Sequence, residues 1–377
     1  MQQIRIKAVG DNLIHKELYH AAEYEKGRYN FDEMFVNIQG ALADADVAVI
    51  NQETILVNDA SRISSFPKFG SPSELGDAIV KAGFNVVTHA SNHALDKGVK
   101  AIKDTVSFWR EKYPGITYVG IHGSEKDQST VRVLEKNGIR VALLNYTKSL
   151  NFQRVPREYP YCVDLMRRNR KKQIKEDIKR AKSKAEFVIV FPHWGCEYLY
   201  EPVKSQRAWA SFFAESGADL IIGTHPHVVQ TVETIAASDG RKVPCLYSLG
   251  NFISCQIKQG TMLGGMADIV LERTNGKPTV TKVQILPLVT HTDKNYSYFT
   301  TYPLKDYSDK LASENKIFHV VKRIYNIDVD CNYLNRLFND ILAQRAQEYN
   351  EFKKPADVTW SNIKGVFNAL AGKNIKK

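Results

Sequence analysis

The sequence predicts an α/β protein with a helical C-terminal part, and three features of its pattern indicate this fold class. Short apolar segments alternate with segments of helical spacing through the first half of the chain. Between residues 228 and 288, four strand-like segments follow one another without a helix. Helical spacing returns over 334–342 and 363–370. We therefore predict an α/β domain over residues 1–295 and a helical extension over 296–377.

The individual elements follow from apolar runs, caps and turns. A helix is predicted to begin near Ser71, which can cap it, because Glu74 follows three residues later. Asn137-Gly138 joins two alternating segments and predicts a β-hairpin. The predicted strands are 4–9, 46–50, 84–88, 116–119, 131–134, 139–145, 187–191, 218–222, 228–236, 243–249, 265–271 and 280–288. The predicted helices before residue 300 are 31–43, 72–82, 99–112, 164–184 and 205–216.

Composition indicates an ordinary globular protein. Of the 377 residues, 43% are hydrophobic and 25% are charged. No apolar run approaches the ~20 residues that cross a bilayer, and the N-terminus lacks the apolar core of a signal peptide. We therefore predict a cytoplasmic protein without a membrane span. The five cysteines include no Cys-x-x-Cys pair, which argues against a disulfide framework or a thiolate zinc site.

The net charge of +11 fits either a lysine-rich surface or an anionic partner, such as a small molecule or an acidic polymer. Basic residues concentrate between Arg167 and Lys184. No recognised nucleic-acid-binding motif accompanies them. We interpret this segment as the solvated face of a helix, and we expect no specific nucleic-acid binding.

Polar residues that can bind metals follow five of the predicted strands directly. They are, in chain order, Asp11, Glu53, Asn92 with His93, His193, and His225 with His227. Each has a structural alternative as a turn aspartate, a capping asparagine or a buried histidine with a backbone partner. In open α/β sheets, however, ligands bind beyond the carboxyl ends of the strands. Five such strand ends therefore predict one shared site.

The residue types at these strand ends predict a metal centre. Carboxylate, amide and imidazole groups without a thiolate suit Mn²⁺, Fe²⁺ or Zn²⁺, and Mg²⁺ is also possible. The set is too large for one catalytic zinc ion, which takes about three protein ligands. It fits two divalent metal ions that share a carboxylate. Such a centre produces hydroxide from water near neutral pH and holds the oxygens of a phosphoryl group.

The motifs that carry these residues resemble those of the bacterial capsule synthesis family, PGA_cap, which is named for poly-γ-glutamate capsule production. The resemblance covers about residues 4–290. The motifs are Gly10-Asp11, Asn51-Gln52-Glu53, Ser91-Asn92-His93-Ala94-Leu95-Asp96-Lys97-Gly98, His193-Trp194-Gly195-Cys196-Glu197-Tyr198, Gly223-Thr224-His225-Pro226-His227 and Ser248-Leu249-Gly250-Asn251-Phe252. This family belongs to the calcineurin-like metallophosphoesterase superfamily. The resemblance thus implies a four-layer α/β/β/α sandwich of two mixed sheets.

The resemblance implies that Asp11 and His227 bind a first metal ion and that Glu53 bridges it to a second. The superfamily usually has an aspartate at the bridging position. It also has a histidine two residues after the first aspartate, where this chain has Leu13. His15 could substitute, but we expect it to lie in a surface loop. These departures predict that the first metal site is weak or empty.

The resemblance assigns the second metal ion to Asn92, His193 and His225. It makes His93 the catalytic residue that protonates the leaving oxygen, a contribution of about 10²–10⁴-fold. Four further residues are weaker candidates for substrate binding, namely Trp194, Glu197, Tyr198 and Asn251. The alternatives for them are aromatic packing, a helix-start carboxylate and a turn position.

Two functions remain open from the sequence. The first is a metal-dependent hydrolase, a phosphoesterase that uses a metal-bound hydroxide on an anionic substrate. The second is a non-catalytic or weakly catalytic component of poly-γ-glutamate or capsule polymer biosynthesis that binds an acidic polymer. The family name favours the second function, whereas the predicted absence of a membrane anchor favours the first.

Overall fold

A computed structural model describes residues 2–350, apart from the side chains of residues 348 and 350. The strands are β1 (Gln3–Asn12), β2 (Glu23–Glu25), β3 (Arg28–Tyr29), β4 (Val47–Gln52), β5 (Leu56–Val57), β6 (Ser71–Pro72), β7 (Val86–Thr88), β8 (Thr117–Val119), β9 (Arg132–Lys136), β10 (Ile139–Thr147), β11 (Phe187–His193), β12 (Leu220–Ile222), β13 (Val232–Ala236), β14 (Lys242–Leu246), β15 (Asn251–Ile253), β16 (Leu263–Thr274), β17 (Lys277–Thr292) and β18 (Phe299–Pro303).

The α-helices of this part of the chain are α1 (Lys16–Ala22), α2 (Gln39–Leu42), α3 (Glu74–Lys81), α4 (Gly98–Lys112), α5 (Glu125–Ser129), α6 (Lys171–Lys182), α7 (Lys204–Ser216), α8 (Asp309–Glu314), α9 (Lys316–Tyr325), α10 (Cys331–Leu342) and α11 (Gln347–Asn350). Short 3₁₀ helices lie at Asp32–Met34, Ala60–Arg62, Arg168–Arg170 and Leu304–Asp306.

Two mixed sheets form the centre of the molecule. The first sheet has the order β18-β17-β16-β1-β4-β7-β8, and β15 also pairs with β1. Its strands β1, β4, β7 and β8 are parallel, while β16, β17 and β18 are antiparallel. The second sheet has the order β13-β14-β12-β11-β10-β9, with β10, β11, β12 and β14 parallel. Both sheets are therefore mixed, as predicted.

Three apolar cores separate four layers. The core between the sheets takes alternate residues of their strands, such as Ile6 and Val49 of the first sheet and Ile189 of the second. A second core packs the outer face of the first sheet against helices that include α3 and α4. A third packs the outer face of the second sheet against α6 and α7, through residues such as Ile178 and Phe213. This confirms the predicted α/β/β/α sandwich.

The C-terminal part is helical, as predicted, within the residues that the structure describes. Helices α8, α9 and α10 add side chains such as Ile317, Leu334 and Leu337 to the core between the sheets. Strand β18, just before these helices, is an edge strand of the first sheet. The predicted helix at 363–370 lies outside the described residues. The division into domains at residue 295 stays a prediction.

Three local predictions differ from the structure. The helix predicted over 164–184 begins only with the 3₁₀ turn at Arg168–Arg170 and continues as α6, because Asp164 and Met166 form backbone hydrogen bonds with Thr147. The segment 31–43 forms a 3₁₀ turn and the short α2 rather than one helix. Successive i→i+3 hydrogen bonds, such as that from the Met34 N–H to the Phe31 carbonyl, form consecutive turns. These turns bury the apolar residues of the segment at the same spacing as a helix. Ser71 lies in β6 and does not cap α3; its hydroxyl lies 2.7 Å from that of Thr54. The hairpin at Asn137-Gly138 is confirmed by the antiparallel pair β9 and β10.

None of the helices in the described residues is long and apolar enough to cross a membrane. The basic residues that follow Arg167 are mostly exposed on α6, which buries Ile174, Ile178 and Ala181. This arrangement agrees with a solvated helix face. The cytoplasmic location stays a prediction.

Candidate metal centre

The strand ends of both sheets meet at one edge of the sandwich. In the first sheet, Asp11 near the end of β1 lies opposite Asn51 of β4 and Asn251 of β15. In the second sheet, β11 ends at His193, which forms a bridge with Thr224 just after β12. The parallel order of these strands therefore brings the predicted residues together at their carboxyl ends.

A glycine allows β1 to place Asp11 in the centre. The register of β1 against β4 shifts between Val9 and Asp11. At this shift the backbone of Gly10 lies so close to Gly250 that a Cβ atom on Gly10 would be 1.9 Å from the Gly250 carbonyl oxygen. The Asp11 N–H donates to the same oxygen at 2.8 Å. Only glycine fits this approach, which fixes the direction of the next residue.

The His-Pro-His turn places two imidazoles in the centre at a conformational cost. His225 and His227 have φ angles of 100° and 60°, which non-glycine residues rarely adopt. Such backbone strain costs about 1–3 kcal/mol per residue and concentrates at functional sites. The turn is held at both ends, since the Trp194 N–H donates to the Thr224 carbonyl and the Tyr198 N–H donates to the Pro226 carbonyl.

Asp11, Glu53 and His227 form a first group of possible metal ligands. All three are buried, and their ligand atoms lie within 4.8 Å of one another. His227 Nδ1 donates to Asp11 Oδ2 at 3.0 Å and lies 3.9 Å from Glu53 Oε2. Asn51 donates to the other oxygen of Asp11 at 2.8 Å, which fixes that carboxylate.

Glu53, His193 and His225 form a second group within the same 4.8 Å limit, so Glu53 is common to both groups. His193 Nε2 lies 3.7 Å from Glu53 Oε1 and 2.7 Å from the amide oxygen of Asn92. A third possible group consists of Glu197, His225 and His227. The six predicted metal ligands are therefore neighbours, although His225 and His227 each have more than one possible set of partners.

Glu53 is the least satisfied residue of the centre. It is fully buried, and neither of its carboxylate oxygens accepts a hydrogen bond within the described part of the chain. The Nδ1 atom of His225 is also buried without a hydrogen-bond partner there. A buried carboxylate without hydrogen bonds is costly unless a cation compensates it. These oxygen and nitrogen atoms therefore fit divalent metal ions as ligands.

The surroundings of each group shift its pKa in a characteristic direction. Burial, with the charge of Asp11 next, raises the pKa of Glu53 well above its ordinary value. Burial alone would lower the pKa of His227, but Glu53 and Asp11 raise it to about 9. Burial lowers the pKa of His193 well below its ordinary range and that of His225 to about 4. His193 and His225 are therefore neutral near pH 7 and keep lone pairs for a metal.

Hydrogen bonds also fix the orientation of two histidines. His193 Nδ1 lies 2.9 Å from the Thr224 hydroxyl, so a proton on Nδ1 leaves the lone pair of Nε2 between Asn92 and Glu53. The amide oxygen of Asn251 lies 3.1 Å from His227 Nδ1. The amide nitrogen of Asn251 lies 2.9 Å from three oxygens that can accept its two hydrogens, including the Thr261 carbonyl, which fixes the orientation of the amide.

His93 lies beside the cluster with its ring held on one side. Its Nδ1 is 2.6 Å from Asp96 Oδ2, and the edge of its ring packs on Phe69 with centroids 4.7 Å apart. Asp96 is fixed in turn by the Phe69 N–H and by the Gln153 amide, at 2.7 and 3.0 Å. The other ring nitrogen, Nε2, lies 3.4 Å from the Asn151 amide nitrogen. The contacts with Asp96 and Phe69 thus fix the orientation of the ring.

The weaker substrate-binding candidates separate into two sets. Glu197 is exposed near His225 and His227, and Tyr198 lies beside His227 with ring centroids 5.9 Å apart. Trp194, in contrast, is only 1% exposed, and its indole N–H donates to the Tyr247 carbonyl in the core behind the second sheet. The side chain of Trp194 therefore does not point to the candidate metal centre. Its burial agrees with the alternative interpretation, aromatic packing in the core.

Sequence reasoning missed two neighbours of the centre and misplaced a third. Asn151 and Gln153 follow β10 in a loop without a readable motif, yet they contact His93 and Asp96. The surface position expected for His15 is wrong. His15 is half-buried with its ring edge on Phe69, and burial with the charge of His227 lowers its pKa to about 3. Its position four residues after Asp11 was the only available signal.

Solved structures show a distant likeness to this chain. The calcineurin-like phosphoesterase YfkN from Bacillus subtilis aligns with 88% of this chain and 99% of its own, at 14% identity and a TM-score of 0.44. A hypothetical protein from Thermus thermophilus aligns with 75% of this chain and 98% of its own, at 14% identity and a TM-score of 0.43.

Sequence relatives are found among capsule proteins. The capsule biosynthesis protein CapA of Bacillus anthracis is 30% identical over 257 residues, which cover 67% of this chain and 60% of that protein. The PGA biosynthesis protein CapA of Bacillus subtilis (strain 168) is 31% identical over 175 residues, which cover 45% of this chain and 42% of that protein. This chain thus spans less than two thirds of these relatives.

One protein-family profile matches most of the α/β/β/α sandwich. The profile described as bacterial capsule synthesis protein PGA_cap matches residues 5–256, which include Asp11, Glu53 and the His-Pro-His turn. The chain therefore belongs to the bacterial capsule synthesis protein family PGA_cap.

Proposed function

We propose that this chain is a metal-dependent hydrolase that cleaves phosphate esters at a centre for two divalent ions. The observation that carries the proposal is the carboxylate of Glu53. It is buried, accepts no hydrogen bond from the described residues, and belongs to both main groups of possible ligands. A carboxylate in this position is suited to bridging two ions and is expensive to maintain for any purely structural purpose.

Asp11, Glu53 and His227 would hold one ion, and Asn92, His193 and His225 would hold the other together with Glu53. Mn²⁺, Fe²⁺ and Zn²⁺ match this mixture of oxygen and nitrogen atoms. When bound, the two ions would lower the pKa of water and neutralise the charge of a phosphoryl group. Asn51 and Asn251 keep Asp11 and His227 in place, since they hydrogen-bond to these side chains.

His93 supplies the proton for the leaving oxygen in this proposal. Asp96 holds Nδ1 of the ring, so the transferable proton sits on Nε2. Phe69 packs against the ring and prevents it from turning away. A general acid aligned in this way contributes about 10²–10⁴-fold to the rate. The surplus of positive charge, +11 for the whole chain, favours an anionic substrate.

The second candidate function is a non-catalytic or weakly catalytic role in polymer biosynthesis, in which the chain binds an acidic polymer. The names of the two sequence relatives, a capsule biosynthesis protein and a PGA biosynthesis protein, favour it. The same ions would then neutralise carboxylates of the polymer instead of a phosphoryl group.

Metal analysis with a turnover assay tests the first candidate. After loading with Mn²⁺ we expect one tightly held ion and a second, weaker ion per chain, because Leu13 stands where the superfamily has a ligand of the first site. We also expect hydrolysis of at least one ester in a panel of phosphate monoesters and diesters. His225→Ala should lose part of the metal and reduce turnover by about 10²-fold or more, because it removes a ligand. His319→Ala is the matched control, since His319 is exposed on α9.

A wild-type chain without bound metal and without turnover across the panel would overturn the hydrolase. Bound metal without turnover, together with binding of an acidic polymer that His225→Ala weakens, would establish the second candidate instead.

A further inference from the structure

A second feature next to the metal centre is strongly charged. A cavity of about 770 Å³ opens between the loop after β10 and the segment before α6. We call it the basic pocket, and five of its lining residues are cationic, namely Lys148, Arg154, Arg157, Arg167 and Arg170. No acidic residue of the described chain lines the pocket. All five cations are exposed, and none forms an ion pair within residues 2–350.

The wall of the basic pocket is tied to the metal centre through hydrogen bonds. The Lys148 N–H donates to the carbonyl oxygen of His193 at 3.1 Å. Gln153, which lines the pocket, donates from its amide to Asp96 Oδ1 at 3.0 Å. Asn151, between them in sequence, lies 3.4 Å from His93 Nε2. A ligand in the basic pocket therefore lies close to His93, Asp96 and His193 of the candidate metal centre.

The start of α6 adds to the positive potential of the pocket. This helix begins at Lys171 directly after Arg170, has no side-chain N-cap and has no acidic residue in its first turn. The macrodipole places partial positive charge at the N-terminus of a helix. It therefore stabilises anions there and destabilises cations. The N–H groups of Arg170 and Lys171 donate to the carbonyls of Arg167 and Arg168, so a bound anion would compensate the arginines rather than cap the helix. This placement of charge costs stability in the absence of a ligand.

The loop between the pocket and His93 is strained. Asn151 and Phe152 have φ angles of 46° and 69°, so two consecutive non-glycine residues are left-handed. Phe152 is also fully exposed at 107% of its reference area, and it lines the pocket. Backbone strain and exposed apolar surface both concentrate at ligand-binding sites, and this loop has both.

We propose that the basic pocket binds a further anionic group of the substrate, so that the substrate is an oligoanion. One anionic group reaches the metal centre, and at least one more carboxylate or phosphate is held by the arginines, whose planar groups match either anion. A cavity of this size accommodates a ligand of several groups rather than one phosphate. This assignment rests on the proposed function for the cleavage of the ester. Binding of the oligoanion to the basic pocket, however, can be measured without turnover.

Nucleic acid fits the pocket less well than a flexible oligoanion. Single-stranded nucleic acid is bound on a series of aromatic side chains along a charged groove. Among the described residues, Phe152 is the one aromatic side chain that lines the pocket. The charges also surround one cavity instead of following a stripe, so an oligocarboxylate or oligophosphate is the better match.

Calorimetric titration with triglutamate and with tripolyphosphate tests the inference and distinguishes carboxylate from phosphate. We expect at least one of them to bind more tightly than acetate or inorganic phosphate. The double variant Arg154→Glu, Arg157→Glu should weaken that binding by about tenfold or more. Lys175→Glu, Lys179→Glu makes the same change in net charge on the exposed face of α6, outside the pocket, and should have a much smaller effect.

Kinetics separate this inference from the proposed function. With p-nitrophenyl phosphate, which has one anionic group, the pocket variant should keep its kcat, while KM for an oligoanionic ester should rise about tenfold or more. Binding of the oligoanion without any turnover would overturn the hydrolase but support the pocket. Equal weakening by both double variants, no preference for either oligoanion, or tighter binding of an oligothymidylate would overturn the pocket assignment.

Discussion

Two buried carboxylates of this molecule have opposite surroundings. Asp268 is 1% exposed, and its oxygens accept hydrogen bonds from Arg5 Nε and Nη2 and from Lys282 Nζ, each at 2.8 Å. Glu53 is fully buried, and neither of its oxygens accepts a hydrogen bond within the described residues. Hydrogen bonds from Arg5 lower the pKa of Asp268 to about 2, whereas burial raises the pKa of Glu53 well above its ordinary value.

Position in the sheet explains this difference. Asp268 lies in the middle of β16, opposite Lys7 of β1 and Gln284 of β17. Arg5 and Lys282 are two residues away from these partners and therefore lie on the same face within reach of Asp268. Glu53 follows the end of β4, where the adjoining ends of β1 and β7 supply no lysine or arginine and His227 donates to Asp11 rather than to Glu53. A carboxylate inside a sheet can be neutralised by its neighbours, but one at the strand ends depends on a ligand.

Replacement of Glu53 should have the largest effect in this comparison. We expect Glu53→Gln to lose bound metal and to reduce any turnover by about 10³-fold or more, because both ions lose a charged ligand. Above the folded pKa of Glu53, the metal-free variant should be more stable than metal-free wild type, by about 1–3 kcal/mol, because a buried charge without hydrogen bonds is removed. Metal analysis, turnover and unfolding in a chelator measure the three effects.

The pH dependence gives an independent test of the same residue. The folded pKa of Glu53 is above the unfolded value near 4.5, so the folded state binds more protons over this interval. The stability of the metal-free protein should therefore fall as pH rises above 4.5 through the folded pKa. Glu53→Gln should flatten this slope. A metal-free variant that is less stable than wild type at every pH would contradict the comparison.

Replacement of Asp268 should affect stability alone. Asp268→Asn breaks the hydrogen-bonded ion group, and removal of one partner from a fully buried pair costs about 3–5 kcal/mol. The side chain of Arg5 is 33% exposed, so we expect less here, about 2–3 kcal/mol. Metal content and turnover should stay at the wild-type level. Urea unfolding, with metal analysis on the same sample, measures both.

Acid unfolding checks the sign of the Asp268 contribution. Its folded pKa of about 2 is below the ordinary value of 3.8, so its stabilisation is present above pH 3.8 and is lost as pH falls towards 2. Asp268→Asn should therefore reduce the difference in stability between pH 6 and pH 3. An unchanged acid transition would show that other carboxylates dominate it.

The sequence brought together the residues of the candidate metal centre but not the residues that surround them. Strand ends are visible as apolar runs followed by polar residues, so Asp11, Glu53 and His193 could be grouped from the sequence alone. Asn151 could not, because it reaches His93 from a loop 58 residues away. Loop positions have no period, and their contacts depend on the path of the whole chain.

Charge partners were equally invisible in the sequence. Arg5 and Asp268 are 263 residues apart, and only the pairing of β1 with β16 makes them neighbours. The tight burial of Trp194 was also not readable, because an aromatic residue after a strand can face either a site or a core. In the fold, the strands and helices followed from periodicity and the four layers from the family resemblance. Segment 31–43 shows that helical spacing also arises from successive turns.

Lys282→Met should produce the smallest effect and sharpen the comparison. The side chain of Lys282 is 44% exposed, and exposed ion pairs contribute only about 0–1 kcal/mol. Asp268 would keep both hydrogen bonds from Arg5, so we expect a loss of about 0.5 kcal/mol in urea unfolding. A loss as large as that of Asp268→Asn would mean that Arg5 alone does not neutralise the buried carboxylate. The contrast with Glu53 would then depend on the number of cations rather than on hydrogen bonding by one arginine.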